Sequence, residues 1–134
     1  MSEKTDKILS FLISKGSAEM DGTVQGALVY RVSRDLFAQT AKVLKEAGFR
    51  LVAQWASDEI FFERGFGIYA AYSAGEDYLI IRADLPHEDP YFPSLTKHFL
   101  SAYRFERQIH SLMGLNPFEH PDLRPWIKHE DWPE

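Results

Sequence analysis

Proline divides this chain in two: all seven prolines lie from Pro86 onward, and residues 1–85 contain none. Proline fixes φ and removes a backbone donor, which keeps it out of helix interiors and central strands. The first part can therefore carry uninterrupted helices and strands. The second must turn and extend.

Within the first part, the period of the apolar residues predicts the elements. Ile8, Leu9, Leu12 and Ile13 share one face of a helix over Thr5–Lys15, with Gly16 as its stop. The stretch SAEMDGTVQG reads as a polar loop, and Ala27–Val32 as a strand. Ser33 fits a helix N-cap with Asp35 in the first turn, where the helix dipole favours an anion. Leu36, Phe37, Thr40, Ala41, Leu44 and Ala47 then recur at helical spacing until Gly48. From Phe49 the period becomes two: Phe49, Leu51, Ala53 and Trp55 alternate with Arg50, Val52 and Gln54 as in a half-buried strand. Ile60–Glu63 is less clear. Phe66–Ser73, the turn Ala74–Asp77 and Tyr78–Leu85 read as an antiparallel hairpin. Leu79, Ile81, Ala83 and Leu85 lie on one face of it.

Beyond Pro86, HEDPYFP reads as a turn-rich loop. Ser94 or Thr96 is expected to cap a third helix, on which Phe99, Ala102, Tyr103, Glu106, Ile109, Leu112 and Met113 follow the 3–4 spacing until Gly114. The expected fold class is α+β: a two-layer domain with helices packed on a mostly antiparallel mixed sheet. Residues 1–114 form that domain. Residues 115–134 form an extended docking tail rich in Pro and Trp.

Composition excludes several functions. At 134 residues and 45% hydrophobic the chain can bury a real core, and its net charge of −5 has the wrong sign for a nucleic-acid binder. No basic run suits anionic lipid, and no apolar stretch approaches the roughly 18 residues that span a bilayer. MSEKTDKILSFL has no signal-peptide core, which predicts a cytoplasmic chain, soluble or peripheral to the membrane. The chain has no Cys, so it has no thiolate for an iron–sulfur cluster or for a Cys-type zinc site.

Motifs for chemistry are weak. Gly65-Phe66-Gly67-Ile68-Tyr69-Ala70 spells the bare dinucleotide fingerprint, but an alternating strand follows where a helix start is required. It reads as a glycine-rich hairpin loop. The histidines at 87, 98, 110, 120 and 129 form no metal-binding pair at helical spacing, and no G-x-S-x-G elbow is present. His87-Glu88-Asp89 reads as a solvated turn, with a small His/carboxylate hydrolase as the enzymatic alternative. A stand-alone protein–protein adaptor is the other alternative. Glu106 is the exception to this plain picture. It falls on the apolar stripe of its helix, and a buried carboxylate must find donors. Arg107 points about 100° away from it.

From Phe92 to Trp132 the chain resembles the family of the thirty-kilodalton subunit of NADH–quinone oxidoreductase (complex I), whose relatives also occur in membrane-bound nickel–iron hydrogenases. The resemblance rests on Pro93-Ser94-Leu95-Thr96, Glu106-Arg107-Gln108, Ser111-Leu112-Met113-Gly114, Glu119-His120-Pro121-Asp122-Leu123-Arg124-Pro125 and Trp132, in one ungapped register. Gln108 and Ser111 stand where the family has acids, Arg104 replaces a common aromatic, Glu119 a Gly and Pro125 an Arg. These losses point to a divergent branch. Members of that family commonly run past the Trp132 position, which leaves a short form, a cut piece or one domain of a longer chain.

The resemblance implies a non-catalytic structural subunit in the hydrophilic arm of a redox complex. It would dock on a large catalytic subunit beside an iron–sulfur small subunit, and meet the membrane only through the complex. Cofactors, iron–sulfur clusters and in hydrogenase relatives nickel–iron, would sit in the partners and none in this chain. The partner-binding residues it implies are Glu106, Arg107, His120, Asp122, Arg124, Trp126 and Trp132. Arg124 is the expected clamp for Glu106, because a guanidinium holds a carboxylate bidentately.

Overall fold

The computed structural model describes residues 18–24, 27–59 and 65–118. The helix expected over Thr5–Lys15 and the segment Ile60–Glu63 lie outside these residues.

Strands β1 (Ala18–Val24), β2 (Ala27–Val32), β3 (Arg50–Asp58), β4 (Phe66–Ala74) and β5 (Asp77–Leu85) form one sheet in the order β1-β2-β5-β4-β3. Only β2 and β5 run parallel; the other pairings are antiparallel. Helix α1 (Phe37–Glu46) connects β2 to β3, and helix α2 (Ala102–Met113) follows the sheet. Both lie on one face, where Phe37, Ala41, Leu44, Ala102 and Ile109 share a core with Ile68, Ala70, Tyr72, Leu79, Ile81 and Ala83. The α+β two-layer fold expected from the sequence is the one observed.

The polar segment expected to be a loop is instead the edge strand β1, paired with β2 from Ala18↔Val32 to Val24↔Ala27. An edge strand is paired on one side only and tolerates a polar sequence. Ser33 stands at the N-terminal boundary with no side-chain cap bond. Its carbonyl accepts from Leu36 N–H at 3.0 Å, so a 3-10 turn over Arg34–Leu36 opens the helical region before α1. Gly48 ends it as expected: Gly48 N–H bonds Lys45 O at 3.0 Å and Phe49 N–H bonds Leu44 O at 2.9 Å.

In β3 the alternation breaks. Leu51 pairs with Tyr72 and Ala53 with Ala71, which leaves Val52 as an extra residue. Such a bulge exchanges the two faces of the strand beyond it. Trp55 therefore leaves the core face expected for it and stacks on Tyr69, with centroids 5.2 Å apart. Gln54 takes the core face instead and is buried.

Two further corrections concern the proline-rich part. The loop after Pro86 contains a short strand, β6 (Tyr91–Pro93), which pairs in parallel with β7 (Asn116–Phe118). The first residues of the expected tail thus belong to the folded domain, and Leu115 is fully buried in its core. The tail from residue 119 onward lies outside the described residues.

Candidate functional site

Glu106 is 0% exposed, and its carboxylate collects four donors from two places in the chain. The Ser94 hydroxyl donates to Oε1 at 2.6 Å and the Thr96 hydroxyl at 3.0 Å. Leu95 N–H donates to Oε2 at 2.7 Å, and Gln54 Nε2–H at 2.9 Å. A carboxylate offers about four lone-pair sites, so this set satisfies it. Ser94 and Thr96 are therefore not helix caps. Helix α2 starts at Ala102, and the hydroxyls expected to cap it bind the acid in its middle.

Local structure aims each donor. Ser94 N–H bonds Phe118 O at 3.0 Å, which ties the loop to β7. Thr96 N–H bonds Ser94 Oγ at 3.2 Å, and Phe99 N–H bonds Leu95 O at 2.8 Å. Leu95 and Phe92 are both fully buried and anchor the loop from either side. The Val52 bulge supplies Gln54. The node thus joins β3, the Ser94–Thr96 loop and α2 through one side chain.

Two buried polar atoms beside the core remain without a partner among the described residues: Gln54 Oε1 and the Tyr72 hydroxyl. Burial pushes the Tyr72 pKa far up, and the nearby Glu106 carboxylate adds to the rise. Tyr72 stays a neutral phenol.

The expected partner-binding residues divide sharply. Glu106 is turned inward and bound by its own chain, so it shapes a surface from behind rather than presenting to a partner. Arg107 lies half-buried, its guanidinium 5.8 Å from the Tyr103 ring centre. His120, Asp122, Arg124, Trp126 and Trp132 lie outside the described residues, and with them the expected Arg124–Glu106 clamp.

A second polar cluster, not foreseen from the sequence, occupies the opposite face of the sheet. Arg82 is only 7% exposed. Its guanidinium donates to Tyr69 Oη at 2.7 Å, to Glu59 Oε1 at 3.2 Å and to Asp84. Ser57 and Tyr69 hydroxyls donate to Glu59 Oε2 at 2.6 and 3.0 Å. Gly67 makes room: a Cβ there would stand 3.0 Å from both Arg82 Nη2 and Glu59 Oε2. Burial opposes ionisation of Glu59, but the hydrogen bonds from Ser57, Arg82 and Tyr69 and the Arg82 charge outweigh it, and its pKa falls. The period of two puts Arg82 on the outward face, and the signal for its burial is Gly67 on the neighbouring strand, one pair along from the Tyr69↔Arg82 pair on that face.

Several other sequence candidates have structural partners. Gly65, at φ 76°, closes the β3–β4 connection by accepting from Glu59 N–H at 2.7 Å. A Cβ there would meet Leu85 O at 2.5 Å, and strand β4 follows where a phosphate site needs a helix. His110 Nδ1–H donates to Leu115 O at 3.0 Å. His87 stacks on Phe66. Arg34 holds the neighbouring loop, donating to Asp89 O at 2.8 Å with its guanidinium 3.9 Å from the Tyr91 ring centre.

Comparison with known proteins places this geometry. Residues 30–134 match the family model of the respiratory-chain NADH dehydrogenase 30 Kd subunit. Hydrogenase-4 component G of Escherichia coli (strain K12) is 30% identical over 83 residues, 60% of this chain and 15% of that protein. NADH-quinone oxidoreductase subunit 5 of Thermus thermophilus is 39% identical over 51 residues, 38% of this chain and 25% of that protein. The chain thus spans a quarter or less of the length of these curated relatives. Among solved structures, the trypsin-resistant fragment (1-134) of Nqo5 superposes with a TM-score of 0.79 at 23% identity, covering 90% of this chain and 99% of that one. A chain of the membrane-bound sulfane sulfur reductase, an archaeal respiratory membrane complex, gives 0.73 at 20% identity, covering 92% and 76%. The family match takes in the Ser94–Thr96 loop, Glu106 and the residues after them: this chain belongs to the family of the 30 kDa subunit of respiratory-chain NADH dehydrogenase.

Proposed function

We propose that this chain is a non-catalytic structural subunit of a membrane-bound redox complex, of the NADH–quinone oxidoreductase or nickel–iron hydrogenase kind. It docks in the hydrophilic arm, on the cytoplasmic side, against a large catalytic subunit and an iron–sulfur small subunit. The observation that carries this reading is the Glu106 node. Its Ser94, Leu95, Thr96 and Glu106 are among the residues on which the family resemblance rests. Four hydrogen bonds from its own chain hold the acid, and a carboxylate so satisfied is suited to fixing a shape and not to proton transfer. Among the described residues no helix is long and apolar enough to cross a membrane, in keeping with a peripheral place.

Contacts to the partners are assigned to the outward face of α2, with Arg107, and to His120, Asp122, Arg124, Trp126 and Trp132. Buried Trp and Arg dominate interface energetics at roughly 2 kcal/mol or more each. The test is purification of the tagged chain from its native cell, with metal analysis and identification of what accompanies it. Nickel or iron together with Cys-rich redox subunits is the expected result; a lone, metal-free chain with hydrolytic turnover overturns the reading. Deleting residues 119–134 should leave the melting temperature of the domain unchanged and remove those companions.

A further inference from the structure

On a chain of net charge −5, the surface around the start of α2 is locally cationic. Lys97 is exposed in the turn before the helix, Arg104 in its first turns, and Lys42 and Lys45 on α1. These lysines and Glu46 all act on His98, whose pKa burial and the lysines hold below its ordinary value. Along α2 the outward positions are Arg104, Arg107, Gln108, Ser111 and Leu112, and the helix's only acid, Glu106, points inward.

Apolar surface lies among these charges. Leu100 is 79% exposed and Leu112 is 74% exposed. Among the described residues, Leu100, Ser101, Tyr103, Arg104 and Phe105 line an open recess of about 690 Å³. A recess receives a side chain, whereas a bilayer surface cannot follow it. Lipid attraction also calls for an unbroken cluster of about 4–8 cations, and here Glu46 interrupts the lysines. An apolar centre flanked mainly by cations favours a protein partner of the opposite sign.

We propose that Leu100, Tyr103 and Phe105, flanked by Lys42, Lys97 and Arg104, receive an acidic segment of a partner subunit that inserts an apolar side chain into the recess. This rests on the subunit reading above and gives the partner's contact its chemistry. The acids of the partner pair with the flanking cations, and α2 is held from behind by the Glu106 node.

Two measurements on the full chain in its native cell test it. A benzophenone amino acid in place of Leu100, followed by irradiation, should cross-link to a co-purifying subunit within a stretch rich in Asp and Glu. Cross-linking to residues 119–134 of the same chain, to phospholipid, or to nothing in an assembled complex overturns the proposal. The charge-reversed variant K42E/K97E/R104E should keep the melting temperature of the wild type and lose roughly tenfold or more of the co-purifying redox subunits. Unchanged co-purification overturns the surface and leaves the subunit reading standing. Should the reversed variant unfold, the neutral K42Q/K97Q/R104Q carries the same expectation of loss. A wild-type chain that brings no redox subunit overturns both readings.

Discussion

On the helix side of the sheet, Glu106 is held by hydroxyls, one amide side chain and one backbone N–H; on the other side, Arg82 is held by carboxylates and a phenol. The first is a buried anion stabilised by aimed dipoles. The second is a cluster of opposite charges that compensate one another, reaching Arg31, whose Nη1 donates to Asp84 at 3.4 Å. Dipoles must be aimed, so the node depends on the backbone path of the Ser94–Thr96 loop. Charges attract from several directions, so the cluster has redundant partners. The helix side should therefore fail abruptly when altered, and the other side gradually.

The largest effect should come from Glu106→Ala. It leaves Leu95 N–H and Gln54 Nε2 buried without an acceptor and opens a cavity, a loss of about 3–5 kcal/mol. Denaturant unfolding of the isolated chain checks this. A loss under about 1 kcal/mol would mean that water enters the space left by the side chain and satisfies the donors. The effect is expected on folding itself, because the four bonds to the acid are internal, and not only on the partner binding that the family resemblance implied for Glu106.

Gly67→Ala comes next. The new methyl group meets Arg82, Glu59 and the Tyr69 ring at once, and overpacking of this kind costs about 1–3 kcal/mol. If the Arg82 cluster adapts as its redundancy implies, the measured loss falls at the low end. A loss as large as that of Glu106→Ala breaks the contrast between the two faces.

Acid titration sharpens the comparison further. The folded-state pKa of Glu59 lies below its unfolded value of 4.5. Its stabilisation is therefore complete above pH 4.5 and is lost as pH falls through the lower, folded value. Glu59→Gln should flatten that part of the stability–pH curve. An unchanged slope would assign the acid sensitivity to other carboxylates.

The smallest effect belongs to Tyr72→Phe. Removing a buried hydroxyl that has no partner among the described residues should leave stability unchanged or raise it by up to about 1 kcal/mol. Calorimetry that finds a loss of comparable size would show that the hydroxyl is satisfied by an internal water.

Local patterns carried much of this fold. Phe37, Ala41 and Leu44 announced α1 by their spacing, Gly48 its end, and Leu79, Ile81, Ala83 and Leu85 the buried face of β5. The inward turn of Glu106 was legible because it broke an apolar stripe. Its partners were not. Ser94 and Thr96 look like helix caps because a hydroxyl before a helix usually is one, and nothing local shows that a carboxylate further along the helix takes them. Gln54 was hidden by the Val52 bulge, which exists only in the pairing with β4. Strand β1 and the β6–β7 pair were equally silent, since each is defined by a partner distant in sequence or by a short polar edge.

The β6–β7 pair sets a load path. Residues 116–118 are the last described part of the chain, and they are joined to Tyr91–Pro93 by parallel pairing, with Asn116 N–H on Pro90 O at 3.0 Å and Ser94 N–H on Phe118 O at 3.0 Å. Tension on the residues after Phe118 is therefore shared between two paths to α2: along the chain through Leu115 to the helix C-terminus, and through Ser94 and its hydroxyl to Glu106 in the middle of the helix. A force-bearing tether would thus load the end and the middle of one helix together, and the node would share the strain instead of leaving it to the helix end.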